Sequence, residues 1–499
     1  MIKQLTFVFF LLISTYSLSQ KSKKIDIINA DELTIVKKGK IELKKLKGNV
    51  IFKHEDALMY CDSSFFNSAE NTMEAFGNVK IEAKDSIRLF CNFLKYNGKT
   101  KVANTRGNIR LYHKKSILIT DSLDFYRTSG VAKYFTYGTI ISGNDTLTSK
   151  YGFYYSKTRD FYPILNVEVK NPNFIMFTDS LRFNTKSKKV YFLTKTRIIS
   201  DSSLIVCYKG YYDTEKDFAF FGKKTFIKQG KNILKGDSLF YDNKKNYGEG
   251  YKYFYIEDTI NKVAVSGKFG IYEGMKNSIM ITDSACFTQF ENVEDTLFLH
   301  SDTLKSIEDT SGKMLFAYKS VLFFRNDFQG KCDSLVYSFS DSTVRMYGNP
   351  VLWFDNFQLT ANQIEILSNN EGIKQVNLIN AGFIVEQIDT NIYNQINGST
   401  IYAFFKEGEI YKIDVKRNAK TVYYPIDDST ITGLYNANAA NIRIMLDSGK
   451  VTKILFLSSP EGILYPINNM NDENAFLPGF VWYIKYRPLR KEDIFIKKF

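Results

Sequence analysis

Three histidines, His54, His113 and His300, stand too far apart to share a metal ion through any short ligand spacing, and neither a phosphate-binding glycine loop nor a nucleophile elbow accompanies them. A surface or loop position is expected for each. Nine of fourteen regularly spaced positions are acidic or amide: Asp31, Asp62, Asn92, Asp121, Asp179, Asp237, Asp302, Asp333 and Asn362. A ladder of stacked carboxylates could hold calcium. Lys150, Tyr208 and Lys268 interrupt it, and the glycine-rich calcium nonapeptide is absent. These Asp and Asn side chains are therefore expected to make turns with their own backbone. Cleavage of a polysaccharide in a groove would need a pair of acids set apart from such a column, and none stands out. The sequence thus assigns no catalytic residue, metal or cofactor, and a protein that is not an enzyme is expected.

Five cysteines in an exported chain invite disulfides, yet Cys61, Cys91, Cys207 and Cys332 all fall in one column of small residues. There they read as small apolar side chains. Cys61 and Cys91 sit on successive repeats, so a bridge between them is within geometric reach, and an odd total leaves at least one thiol free.

The elements that carry these residues follow from a repeat. Fourteen times a small residue recurs, in most copies followed three and five positions later by an apolar one. Counting from the residue after the small one, the marks fall at 31, 62, 92, 121, 150, 179, 208, 237, 268, 302, 333, 362, 399 and 440. From Asp62 to Asp237 the steps are 30, 29, 29, 29, 29 and 29 residues, which specifies a stacked repeat. Two places after the mark ten of fourteen residues are Leu or Ile; four places after it nine are aromatic. Apolar residues two apart with polar ones between describe a strand with one buried face. Where glycine replaces leucine (Gly152, Gly210, Gly270), the ring in the next column (Tyr154, Tyr212, Tyr272) is expected to cover the gap.

A second strand per repeat opens at Gly-Asn-hydrophobic steps, Gly48-Asn49-Val50, Gly77-Asn78-Val79 and Gly107-Asn108-Ile109, read as tight reversals. Thirty-three Tyr and 42 Phe against 8 Pro agree with strands. The expected fold is all-β: an elongated stack of about fourteen two-strand repeats of roughly 29–31 residues forming an open trough. Residues 1–19 read as a cleaved secretory signal, with Lys3 before an apolar core and Ser17-Leu18-Ser19 at the cleavage positions. Residues 25–458 read as continuous repeats, and residues 459–499, which hold four of the eight prolines, as a cap or docking tail. The net charge of +14 is scattered along the chain, which suits a solvated surface or an anionic partner. Nucleic acid is not expected outside the cytoplasm.

The strands Thr120-Asp121-Ser122-Leu123-Asp124-Phe125 and Thr178-Asp179-Ser180-Leu181-Arg182-Phe183, with the Gly-Asn-Val steps and the segment Met346–Trp353 followed by Leu359–Ile364, resemble the OstA-like family, named for organic solvent tolerance. The resemblance covers about residues 25–450. It implies a stacked β-jellyroll, open along one side, that shields acyl chains of lipopolysaccharide or a related anionic glycolipid on their way to the outer membrane. It also implies a periplasmic location, peripheral at the outer membrane, and like-folded transport partners joined by end-strand pairing. The lipid-facing residues are then Leu94, Tyr96, Leu123, Phe125, Leu181, Phe183, Leu239, Tyr241, Leu335 and Tyr337. After Ser458 too few residues remain for the membrane barrel of an outer-membrane pore. The competing reading is a structural or adhesive β-solenoid with a closed, ligand-free core. Leu181→Asp or Phe183→Asp is expected to put an unpaired charge on the inward face and to unfold local rungs or abolish lipid binding. Variants that still cross-link lipid like the wild type would contradict that assignment.

Overall fold

The computed structural model describes residues 24–496 except 40, 84–86, 114, 291–295, 370–371, 428–429 and 467–471. The proposed signal segment therefore lies outside the described residues. Strands dominate, pairing antiparallel with their sequence neighbours, and the chain forms two compact units, residues 1–186 and 187–499. Among the described residues no helix is long and apolar enough to cross a membrane.

The Gly-Asn steps are not reversals between strands. Gly48-Asn49 lies inside the strand Ile41–His54, Gly77-Asn78 inside Thr72–Ala83, and Gly107-Asn108 inside Val102–His113. At each step both residues have positive φ, 70° and 43° at Gly48-Asn49, 74° and 41° at Gly77-Asn78. The ladder slips there: Lys47 pairs with Ser63 and Val50 with Cys61, so two residues face the single residue Asp62. This is a β-bulge, which bends a strand without ending it. The same left-handed pair recurs at Leu165-Asn166, Lys223-Lys224, Asp283-Ser284, Lys319-Ser320 and Arg417-Asn418. Each faces a register mark, for instance Asp179 opposite Leu165-Asn166 and Asp237 opposite Lys223-Lys224.

The marks accordingly serve neighbouring strands rather than their own backbone. Asn49 Nδ2 donates to Asp31 at 2.9 Å and Asn78 Nδ2 to Asp62 at 2.8 Å, while the Asp31 amide donates to the Gly48 carbonyl at 2.9 Å. A Cβ on Gly48 or Gly77 would collide with the facing aspartate.

Bending folds each unit into two layers. Phe66 and Met59 lie seven residues apart on one strand, about 23 Å if it were straight. Yet the Phe66 ring lies 5.7 Å from that of Phe52, the ladder partner of Met59. The small column occupies the inside of the bend, where Cys61, Cys91, Ser149 and Cys207 are buried and a Cβ on Gly236 would sit 2.5 Å from Leu239. All five cysteines are free, Cys61 and Cys91 included, and burial pushes the thiols of these two up to about 12.

Two other expectations need correction. Gly152 is covered by the ring of Tyr134 and Gly270 by that of Phe254, both from adjacent strands, and Gly210 faces the Phe220 carbonyl, so Tyr154, Tyr212 and Tyr272 are not the fillers. His54 and His300 are buried strand residues, not surface ones. Each has a polar partner that makes burial tolerable: the Tyr96 hydroxyl at 2.7 Å and the Ala285 carbonyl at 2.8 Å.

In the second unit, Glu461–Pro466 is still a sheet strand, paired with Gly433–Asp447. Residues 472–496 then run back across the outer face of that unit. Gln395 holds the Ala475 carbonyl and the Leu477 amide at 2.8 and 2.9 Å, and Gln358 holds Val481 and Tyr483 likewise at 2.8 and 2.7 Å. Gln329 accepts from Arg487 at 2.7 Å, and Ile494 is buried with Cys286 and Leu322.

Gly77→Val should destabilise the fold by about 1–3 kcal/mol, because a β-branched residue opposes the left-handed backbone, and Gly77→Asn by clearly less. Denaturant unfolding measures both; equal losses would mean that crowding by Asp62 alone, not the backbone, fixes glycine there.

Candidate functional site

Each unit presents an inward surface made of two apolar rows, one per layer. In the first unit one row runs through ladder partners Phe66, Met73, Tyr96, Ala103, Phe125, Ala132, Tyr154, Phe161 and Phe183. The other runs Phe52, Met59, Ile81, Leu89, Leu111, Leu118, Ile140, Leu147, Val169 and Met176. The second unit repeats the arrangement: Tyr212, Ala219, Tyr241, Gly248, Tyr272 and Ile279 begin one row, and Ile205, Ile227, Leu234, Ile256, Val265 and Phe287 the other. Alternation along bent strands puts every second side chain into the interior on both sides of the bend.

The interior is not uniformly filled. In the first unit the early rungs are packed: Phe52, Phe66, Met73, Leu89 and Tyr96 are all buried in one cluster. Further along, Tyr154 and Phe183 are half-buried and Phe125 is 39 % exposed. In the second unit Tyr212, Tyr241 and Tyr272 are half-buried, whereas Leu315, Ile366, Ala403 and Ile413 are buried. A cavity of about 460 Å³ remains there between the layers, lined by Phe287, Leu299 and Phe323 on one side and Leu315, Leu335, Tyr337 and Ile366 on the other. Leu315 and Phe323 belong to one strand, eight residues apart, and meet across that cavity.

Over the packed end of the first unit, the free edges of the two layers are joined by charge. Lys101, in a turn of one layer, donates to Glu55, in a turn of the other, at 2.8 Å. Arg127 reaches Glu55 at 3.0 Å and also binds Asp56. The hydrogen bond from Lys101 holds the Glu55 carboxyl below the usual carboxylate range; burial opposes it, and the charges of Arg127 and Lys101 reinforce it. Just inside, burial pushes the Tyr96 hydroxyl up to about 12, so it stays neutral beside His54.

Of the residues expected to face lipid, Leu94, Leu123, Leu181, Leu239 and Leu335 are buried near the bend, as is Tyr96 one step outward. Phe183, Tyr241 and Tyr337 are half-buried, and Phe125 is exposed. Those from Leu94 to Phe183 share the inward face of the first unit, and those from Leu239 to Tyr337 that of the second. At the outer rung Leu33 and Ile35 occupy the same columns but are exposed, because only one strand, Ile41–His54, packs beside them. The second row is legible in the sequence only in part: Ile81 and Leu111 follow the Gly-Asn steps, whereas Met59, Leu89, Leu118, Leu147 and Met176, each three places before a mark, carry a signal that the repeat columns leave out. Among the described residues no three metal-ligating side chains come together.

No curated protein matches the chain. Among solved structures it is similar to LptH from Pseudomonas aeruginosa, titled the LptA homologous periplasmic component of the conserved lipopolysaccharide transport device, at 12 % identity and a TM-score of 0.23. That similarity covers 28 % of this chain and 99 % of the other. Residues 22–179 match the family model described as OstA-like protein. The stretch that displays the bulged strands and the two inward rows of the first unit is thus the part of the chain that is similar to the OstA-like family.

Proposed function

We propose that this protein is a non-catalytic periplasmic conduit whose inward rows shield the acyl chains of lipopolysaccharide during transport to the outer membrane. The observation that carries the reading is the incomplete closure of an otherwise apolar interior: Phe125, Tyr154 and Phe183 in the first unit, and Tyr212, Tyr241 and Tyr272 in the second, keep part of their ring surface uncovered. Acyl chains laid on such a surface gain roughly 0.8 kcal/mol per buried methylene. Repetition makes successive rungs near equivalents, so a chain could shift from one to the next without a large barrier.

The free strand edges suit pairing with like-folded partners. Glu32–Lys38 pairs with Ile41–His54 and exposes Leu33 and Ile35; Glu461–Pro466 pairs with Gly433–Asp447 and exposes Ile463 and Leu464. Such edges invite β-augmentation. The buried row at Val376, Ala403 and Ile413 favours the second reading, a structural solenoid with a closed core, for that part of the chain.

A photocrosslinking residue at Phe125 or Tyr241, tested in cells, is expected to label lipopolysaccharide. Adducts to protein alone, with no lipid at either position, would overturn the conduit and leave the structural solenoid.

A further inference from the structure

Resting on the acyl-chain reading above, we propose that the turn Tyr155–Arg159 at the mouth of the first unit is a binding site for phosphate groups carried by the lipid. The turns that edge one layer of this unit hold cations in repeated places: Lys99 and Lys101, Arg127, then Lys157 and Arg159. Lys99-Thr100-Lys101 and Lys157-Thr158-Arg159 share one pattern, a hydroxyl between two cations. Backbone bonds stack these turns, from the Arg127 amide to Lys101, the Ser156 amide to Gly130, and the Thr185 amide to Arg159, at 3.1, 2.8 and 2.9 Å. Their pitch is thereby fixed at two strand spacings, about 9.6 Å.

The first of these cations show what the row can hold. Lys101 and Arg127 take the carboxylates of Glu55 and Asp56 from the opposite edge, over an interior that is packed. Lys157 and Arg159 are exposed and make no ion pair among the described residues. They stand next to the rings that are half uncovered, since Tyr155 pairs with Asp160 and Tyr154 with Phe161. An anion is therefore supplied from within where the interior is filled, and missing where it opens.

The second unit also places turn cations beside half-buried rings, although Lys276 there is paired with Glu273 at 2.9 Å. Its corresponding turns carry Lys188, Lys216, Lys244 and Lys276 alongside the half-buried Tyr212, Tyr241 and Tyr272. Past that point the turns hold Thr310-Ser311, Phe339–Ser342, Glu407-Gly408 and Ser448-Gly449, and the adjoining row is buried at Leu315, Ile366, Ala403 and Ile444, with Tyr337 and Val344 half-buried between them. In this unit the turn cations stand beside half-buried rings, and where most of the row is buried these turns carry none. A ligand that is apolar inside and anionic at the rim fits this pairing, and a phosphate monoester accepts from lysine and, bidentately, from arginine.

The test measures binding of lipid A to the protein in three forms: wild type, Lys157→Gln/Arg159→Gln, and Lys157→Arg/Arg159→Lys. Probes are bisphosphorylated lipid A, its dephosphorylated counterpart and inorganic phosphate. The wild type should prefer the phosphorylated lipid about tenfold. The glutamine pair should lose that preference while binding dephosphorylated lipid as before, and the exchanged-cation pair should keep it. Equal binding of both lipids by the wild type, or an undiminished preference in the glutamine pair, overturns the phosphate site and leaves the acyl-chain reading intact. Saturable binding of inorganic phosphate at these residues without any lipid preference overturns the lipid source of the anion. Failure of both lipids to bind the wild type overturns the acyl-chain reading and this site with it.

Discussion

A β-sheet that folds sharply over itself must bend each strand without surrendering the ladder on either side. Here the bend is made in many strands, such as Ile41–His54 and Thr72–Ala83, by two consecutive left-handed residues set against one residue of the neighbour. Glycine and asparagine accept that backbone at little cost, and a facing aspartate or asparagine can satisfy the bulge with its side chain. Everything else in the two units depends on it. Small residues lie beside the bend because a larger side chain would meet the opposite layer, as Gly236 and Leu239 illustrate. The leucine column lies just past it and is buried, and the aromatic column one step farther out reaches the zone where closure varies.

Strand content, repeat period and the inward direction of the leucine and aromatic columns could be read from residue types alone, because a two-residue alternation kept in step over many repeats has no competing explanation. The bend could not. Gly77-Asn78 is the same pair that closes a hairpin, and only the ladder on both sides of it tells a bulge from a reversal. Once the step was read as a strand start, the apolar residues preceding each mark, such as Met59 and Leu118, lost their place, and with them part of the second row. The buried histidines were hidden for a different reason: His54 and His300 depend on partners 42 and 15 residues away, which no local pattern reveals. Charge at the mouth was likewise dispersed in the sequence, since Glu55, Lys101 and Arg127 meet only after the layers fold together.

The two units treat one architecture in opposite ways along their length. The first is tight where its strands begin and looser from Ala103 onward; the second is loose through Tyr272, holds a cavity of about 460 Å³ beside Leu315, Tyr337 and Ile366, and is tight from Val376 on. Side-chain size does not explain this, since rings occur in both kinds of region. What changes is what else is added: Glu55 and Asp56 close the mouth in the first unit, and the ring of Phe354 against that of Phe405, 4.9 Å apart, does so in the second. Accessibility is thus set at the free edges of the layers rather than in the core.

The returning segment 472–496 touches Gln395, then Gln358, then Gln329 and finally Cys286, the reverse of the order in which the ribosome delivers them. Those glutamines are almost wholly covered, and each shares with the segment a hydrogen bond that it would otherwise make with solvent, so without the segment the surface around them stays wet. That face dries out only once residues 472–496 lie across it. A chain cut before residue 472 would carry a polar streak that a protease or chaperone could tell from the covered surface.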